Sequence, residues 1–106
     1  MSGLDSVRRD NEAARAGADA LEARVVALRN HMLAVWAAEL MGLSDPDAYA
    51  RAVSASAAGH PTEEDVLRKI SHDLADSSVK EAAEVRTRMD EFLAQARMQL
   101  AGEAIR

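Results

Sequence analysis

The apolar residues between positions 21 and 40 recur every three or four positions, and this spacing constrains the fold more than any other feature. Such spacing places them on one face of an α-helix, where other elements can bury them. Gly42 follows the stripe, and glycine commonly ends a helix in the left-handed conformation. The sequence therefore predicts an amphipathic helix with a buried stripe of Leu21, Val25, Leu28, Met32, Val35 or Trp36, and Leu40.

Three further helices are indicated by polar residues that can accept hydrogen bonds from the first turn of a helix. In chain order these signals are Ser44 or Asp45 before Pro46, Thr62 with Asp65, and Ser78 with Glu81. One core is expected to contain Trp36, Leu67, Ile70, Met89 and Phe92. With 106 residues the chain has the size of one domain, so these patterns predict an all-α four-helix bundle.

The first twenty residues lack a face that could be buried. Between Asp5 and Asp19, Val7 and several alanines are the only apolar residues, and charges occur on all sides. Such a segment has helix propensity but is marginally stable alone. We therefore expect a mobile or extended N-terminal helical arm at residues 1–20, a bundle at residues 21–101 and a short C-terminal tail at residues 102–106.

No residue pattern points to catalysis, a cofactor or a metal. The three histidines His31, His60 and His72 fall in separate elements without the spacing of metal ligands. The five glycines are scattered and form no phosphate-binding loop. We predict that the chain is not an enzyme and has no catalytic, cofactor-binding or metal-binding residue.

Charge and hydrophobicity exclude two kinds of partner. The net charge is −5 with both signs interspersed, whereas nucleic-acid binding needs a clustered basic face. No apolar run has the length of a membrane span, so neither nucleic-acid binding nor membrane insertion is expected. Four helical pairs are predicted to form solvated charged faces: Glu64 with Arg68, Asp65 with Lys69, Lys69 with Asp73, and Glu84 with Arg88.

The three aromatic residues Trp36, Tyr49 and Phe92 lie on apolar stripes, and core packing is the default interpretation for each. The alternative for Trp36 is that it contributes to an interface with a partner.

Four stretches carry a resemblance to a known family. They read R-N-x-x-L-x-x-W-A-A-E-x-x-G-L at 29–43, A-Y-A-x-x-V at 48–53, E-D-V-L-R-K-I at 64–70 and V-R-x-x-M-x-E-x-L at 85–93. In order and spacing they resemble the alphaproteobacterial ATP synthase inhibitor, the zeta subunit family, over about residues 21–100. The residues that match the family signature are expected to be structural; they are Arg29, Asn30, Trp36, Glu39, Gly42, Tyr49, Asp65, Arg68, Lys69 and Met89.

The resemblance implies a cytoplasmic regulatory subunit, a monomer or weak dimer. Its partner would be the catalytic head of the ATP synthase, formed by alpha, beta and gamma subunits. The N-terminal arm would insert into a catalytic interface of that head and block ATP hydrolysis. Weak purine nucleotide binding on the bundle is also implied, although no cofactor is required. The arm residues that would contact the partner are Leu4, Asp5, Arg8, Glu12 and Ala13.

The arm departs from the family pattern F-D-D-R-E-x-A-F-E-A-K-F. Its two later phenylalanine positions fall on Asn11 and Arg15 in this sequence. Because large apolar side chains are the natural anchors of a helix in a cleft, weakened inhibition is expected. The alternative is a non-inhibitory helical interaction or adaptor module that has diverged from the zeta family.

Overall fold

In the computed structural model of the chain, four α-helices and one 3-10 helix follow one another. The structure describes residues 2–56 and 62–105, and the side chains within residues 17–55 and 62–103. The elements are α1 (Ser2–Leu40), α2 (Pro46–Ser56), α3 (Glu63–Asp76), a 3-10 helix (Lys80–Glu84) and α4 (Val85–Ile105). No strand occurs among these described residues, and the predicted all-α bundle is confirmed.

Helix α1 is the longest element, and the other helices pack along its second half. Its 39 residues correspond to about 58 Å, against about 31 Å for the 21 residues of α4. The backbone of the predicted arm forms the first part of α1; mobility of the arm stays a prediction. Helix α4 continues to Ile105, through the stretch expected to be a tail.

The main core lies where all four helices meet. Its buried residues include Leu33 of α1, Val53 of α2, Ile70 of α3 and Met89 of α4. The five residues expected to share a core do so: Ile70 and Met89 are buried, while Trp36, Leu67 and Phe92 are partly buried against them. Val25, Ala96 and Leu100 form a second, smaller cluster between α1 and α4.

Two of the predicted start signals have the expected geometry. The Asp45 carboxylate accepts a hydrogen bond from the Ala48 N–H at 3.1 Å, which identifies Asp45 as the cap of α2. Thr62 and Asp65 form a complete capping box at the start of α3, with two bonds of 3.1 Å. These bonds satisfy N–H groups that have no partner within the helix.

The capping box predicted for Ser78 and Glu81 is wrong. Ser78 has φ of +60°, and the 3-10 helix begins after Val79 without a side-chain cap. The backbone N–H of Ser78 donates to the Ala75 carbonyl, and that of Val79 donates to the Leu74 carbonyl, at 3.0 and 2.9 Å. These two bonds are those of a Schellman motif, so Ser78 closes α3 instead of opening α4.

The same motif closes α1, with glycine at the left-handed position. Gly42 has φ of +72°, and the N–H of Leu43 donates to the Ala38 carbonyl at 3.0 Å. A Cβ atom at Gly42 would meet no heavy atom within 4 Å, so backbone conformation alone determines the preference for glycine. The ends of α1 and α3 therefore share one motif and differ in the residue at its left-handed position, which is Gly42 in α1 and Ser78 in α3.

Replacing Ser78 by glycine should stabilise the protein. A left-handed conformation costs a non-glycine residue about 1–2 kcal/mol, and glycine removes this cost from the folded state. Glycine also has more conformational entropy in the unfolded chain, which offsets about half of that gain. We expect Ser78→Gly to raise the free energy of unfolding by about 0.5–1 kcal/mol in urea denaturation. The matched control Gly42→Ala should lower it by a similar amount. Equal stability of the native protein and both variants would contradict the argument.

Candidate functional site

The residues that the family resemblance singles out fall into two groups. Those of the arm lie on the backbone of α1 but outside the residues whose side chains are described; they are Leu4, Asp5, Arg8, Glu12 and Ala13. Those of the signature lie on the bundle, where their contacts are described.

Arg29 is a buried charge that joins α1 to the start of α3. Its residue is 4% exposed. Its Nε donates to Asn30 Oδ1 at 3.0 Å and its Nη1 donates to Glu63 Oε1 at 3.2 Å. Burial lowers the pKa of Arg29, while Glu63, Asp90 and Glu22 oppose that change. The guanidinium stays protonated because an arginine pKa is far above neutral pH.

Tyr49 joins α2 to α3 through Asp73. Its hydroxyl donates to Asp73 Oδ2 at 2.7 Å, and Lys69 Nζ donates to the same oxygen at 3.0 Å. Burial, together with the hydrogen bond to Asp73 and its negative charge, raises the pKa of Tyr49 well above its ordinary value. Burial alone would raise the pKa of Asp73, but the bonds from Tyr49 and Lys69 outweigh it and leave that pKa below its ordinary value.

Trp36 lies at the edge of the core, between α1 and α4. Its ring meets Phe92 edge-on, with centroids 6.5 Å apart, and the Arg88 guanidinium lies 5.7 Å from its centroid. Both contacts are of kinds that stabilise a partly exposed indole. The structure thus places Trp36 against the core while leaving part of it at the surface.

The remaining signature residues support the helices individually. Met89 is buried in the main core, and Gly42 closes α1. Asp65 completes the capping box, whose bonds from Thr62 lower the pKa of Asp65. Glu39 and Arg68 are exposed, and Arg68 lies 3.6 Å from Asp65.

Three of the four predicted charged pairs are replaced by others. Lys69 pairs with Asp73 as expected, but Glu64 pairs across helices with Arg86 at 2.6 Å instead of with Arg68. That contact with Glu64 raises the pKa of Arg86. Asp65 lies beside Arg68 rather than Lys69, and Arg88 pairs with Glu91 at 3.1 Å rather than with Glu84.

Two contacts that the sequence did not predict hold this arrangement together, one at Glu63 and one at Asp73. Glu63 is the partner of Arg29, and Asp73 accepts from both Tyr49 and Lys69. The spacing of Lys69 and Asp73 gave a local signal for Asp73, but a bond from Tyr49, 24 positions away, leaves no trace in a helical pattern.

Histidine and carboxylate side chains are the groups of this chain that could bind a metal ion. Over the described residues, no group of three or more His, Cys, Asp and Glu side chains could hold a metal ion. His31 lies 3.7 Å from Asp47 and His72 lies 3.2 Å from Asp76, both in exposed pairs. His60 lies outside the described residues. None of the helices, within that same part of the chain, is long and apolar enough to cross a membrane.

Two ion pairs between exposed side chains join α1, just after the arm, to α4. Arg97 lies 2.8 Å from Glu22, and Glu103 lies 3.6 Å from Arg24. Because Arg88 lies over Trp36 whereas Glu103 pairs with Arg24, α4 runs antiparallel to α1, and its last turns lie beside residues 22–24. Helix α1 continues in the N-terminal direction beyond these pairs.

Removing the Tyr49 hydroxyl should weaken the contact between α2 and α3 in a pH-dependent way. A partly buried hydrogen bond to a charged group contributes about 1–2 kcal/mol, so Tyr49→Phe should lower the free energy of unfolding by that amount at pH 7. The pKa of Asp73 is lowered from 3.8, so its contribution is complete above that value and is lost as pH falls through the lowered pKa of the folded state.

Urea denaturation between pH 3 and pH 8 measures this effect. The difference between native protein and Tyr49→Phe should be constant above about pH 5 and shrink at lower pH. Asp76→Asn is the matched control, since Asp76 belongs to an exposed pair. A difference that does not change with pH would show that the hydroxyl acts independently of the charge on Asp73.

Comparison with known proteins assigns the chain to a family. No curated protein and no solved structure matches it significantly. The family model described as ATPase inhibitor subunit zeta matches residues 1–99. The resemblance seen in the sequence covers about residues 21–100, whereas the family match begins at residue 1 and so includes the arm as well as the bundle. The chain belongs to the ATPase inhibitor subunit zeta family.

Proposed function

We propose that the chain is a regulatory, non-catalytic subunit that binds the head of the ATP synthase and inhibits ATP hydrolysis through its N-terminal arm, residues 1–20. The family match carries this proposal, because it covers the arm and the bundle in one continuous range, residues 1–99. The partner surface is formed by alpha, beta and gamma subunits, and the protein acts in the cytoplasm as a monomer or weak dimer.

The length of α1 supports a role for the arm. About 20 residues precede Glu22, the first residue of α1 with a described ion pair to α4, and as a helix they extend about 30 Å. A charged helix of this length is marginal in water by itself. A cleft in a partner supplies the burial that the arm lacks, so ordering and binding take place together.

The arm residues Leu4, Asp5, Arg8, Glu12 and Ala13 are the proposed contacts with the head. After Met1, the large apolar residues of the arm are Leu4 and Val7, three positions apart and thus on one helix face. Asn11 and Arg15 continue that face with polar side chains where the family pattern has phenylalanine. Each apolar anchor contributes about 1.5–3 kcal/mol when buried, so we infer that inhibition is weak.

Introducing the two phenylalanines should strengthen inhibition. The double variant Asn11→Phe with Arg15→Phe adds about 3–6 kcal/mol of anchor burial, which corresponds to about a hundredfold or more in affinity. The measurement is the concentration that halves ATP hydrolysis by the purified synthase head of the same organism. The control, Asp10→Phe with Ala14→Phe, adds the same rings to a neighbouring face and should have a much smaller effect.

Two results would overturn this interpretation of the arm. If the double variant inhibits no better than the native chain, positions 11 and 15 do not face the cleft. If the native chain already inhibits at nanomolar concentration, the loss of aromatic residues does not weaken it.

The alternative function is a non-inhibitory adaptor, and the polar side chains of Asn11 and Arg15 favour it. An adaptor binds its partner through the bundle and leaves ATP hydrolysis unchanged. Binding of the native chain to the head without any change in hydrolysis at saturation identifies the adaptor. Inhibition at saturation identifies the regulatory subunit.

Weak purine nucleotide binding on the bundle is the last part of the proposal, and the family resemblance is its support. Calorimetric titration of the full chain with ADP tests it. Heat of binding in the millimolar range supports it, and no heat at that concentration rejects it.

A further inference from the structure

A groove lies between α1 and α4 where the arm leaves the bundle. Its volume is about 330 Å³. Five apolar residues line it: Ala18, Leu21 and Val25 from α1, and Leu100 and Ala101 from α4. Val25 and Leu100 are buried and form the floor, whereas Leu21 is 43% exposed. The groove therefore presents apolar surface at the base of the arm.

The rim of the groove carries no net charge. Glu22 and Arg97 line it and pair with each other at 2.8 Å, so each neutralises the other. Such a rim is compatible with an apolar side chain of a partner. It offers no unpaired positive charge that could bind a phosphate or a carboxylate.

The size of the groove suits a large side chain. An apolar cavity of about 150 Å³ holds a benzene ring. The groove has about twice that volume, enough for one aromatic or large aliphatic side chain with part of its backbone. Interfaces commonly concentrate affinity in pockets that accept one such side chain.

The position of the groove indicates which partner fills it. The Arg29–Glu63 pair marks where α3 begins beside α1, and the groove lies N-terminal to this level along α1. Helix α1 continues without interruption from the groove into the arm. A partner surface that binds the residues before Gly17 as a helix therefore also comes into contact with Ala18 and Leu21.

We propose that this groove receives a large apolar side chain of the ATP synthase head, from the surface next to the cleft that the arm enters. The proposal rests on the proposed function, because it takes the head as the partner. It adds a second contact, where the bundle meets the arm, that does not use the side chains before Gly17.

Two variants alter the groove without changing the arm. Ala101→Phe fills it from an exposed position on α4, and Leu21→Ala removes its exposed wall. Each has a matched control on α4 outside the groove: Ala94→Phe for the added ring, and Met98→Ala for a truncated apolar side chain that is 75% exposed. The full chain is used throughout, and circular dichroism melting confirms that each variant is folded.

The measurement is the dissociation constant of each full-length variant for the purified head. Both groove variants should weaken binding at least tenfold, while both controls stay within twofold of the native chain. An arm variant, Leu4→Asp with Val7→Asp, is measured in parallel for inhibition of ATP hydrolysis. Sedimentation of each variant alone reports self-association.

The outcomes separate the groove from the arm. If the arm variant loses inhibition while the groove variants bind like the native chain, the groove proposal is wrong and the proposed function stands. If the native chain does not bind the head, both are wrong. If the groove variants change only self-association, the groove is a contact between copies of this chain, and the proposal is again wrong.

Discussion

The close contact between α1 and α2 places Tyr49 where it can bind α3. Helix α2 has 11 residues and few large side chains, so it cannot bury much area. The residues Ala34, Ala37 and Ala38 of α1 and Ala50 of α2 are nevertheless buried, and small side chains let two helices approach closely. This approach brings Tyr49 within hydrogen-bond distance of Asp73 on α3. A larger residue at one of these alanines would separate the helices and break that bond.

Polar links then fix how the helices are aligned along one another. Tyr49 and Asp73 join α2 to α3, Arg29 and Glu63 join α1 to α3, and Glu64 and Arg86 join α3 to α4. Apolar packing between alanine-rich helices is tolerant of small shifts, whereas the part-buried bonds of Tyr49 and Arg29 form only over a narrow range of alignments. Arg29 is the strictest of the three, because a buried guanidinium without its partner is costly.

The sequence predicts the helices well because their signals are local, and it fails at Ser78 and Glu64, where distant residues decide. Asp45, Thr62 and Gly42 act through backbone groups a few positions away, so spacing alone identifies them. Ser78 has the same local spacing as a capping residue, but Val79 packs against the core and draws Ser78 into the left-handed turn. Glu64 has a basic neighbour within its helix, yet Arg86 reaches it from α4. Both failures come from contacts between helices, which periodicity does not encode.

The continuity of α1 gives a physical account of how a polar arm can still act. Replacing two aromatic anchors by Asn11 and Arg15 costs about 3–6 kcal/mol, or about 10²–10⁴ in affinity. A second contact on the same helix makes the arm's binding intramolecular, and this gain is about 10²–10⁴ when both sites can be occupied together. The groove adjoins the arm on α1, so the two sites are close together along the chain. On the proposed arrangement, the bundle thus keeps the weakened arm at the head, while the arm keeps the position from which it obstructs hydrolysis.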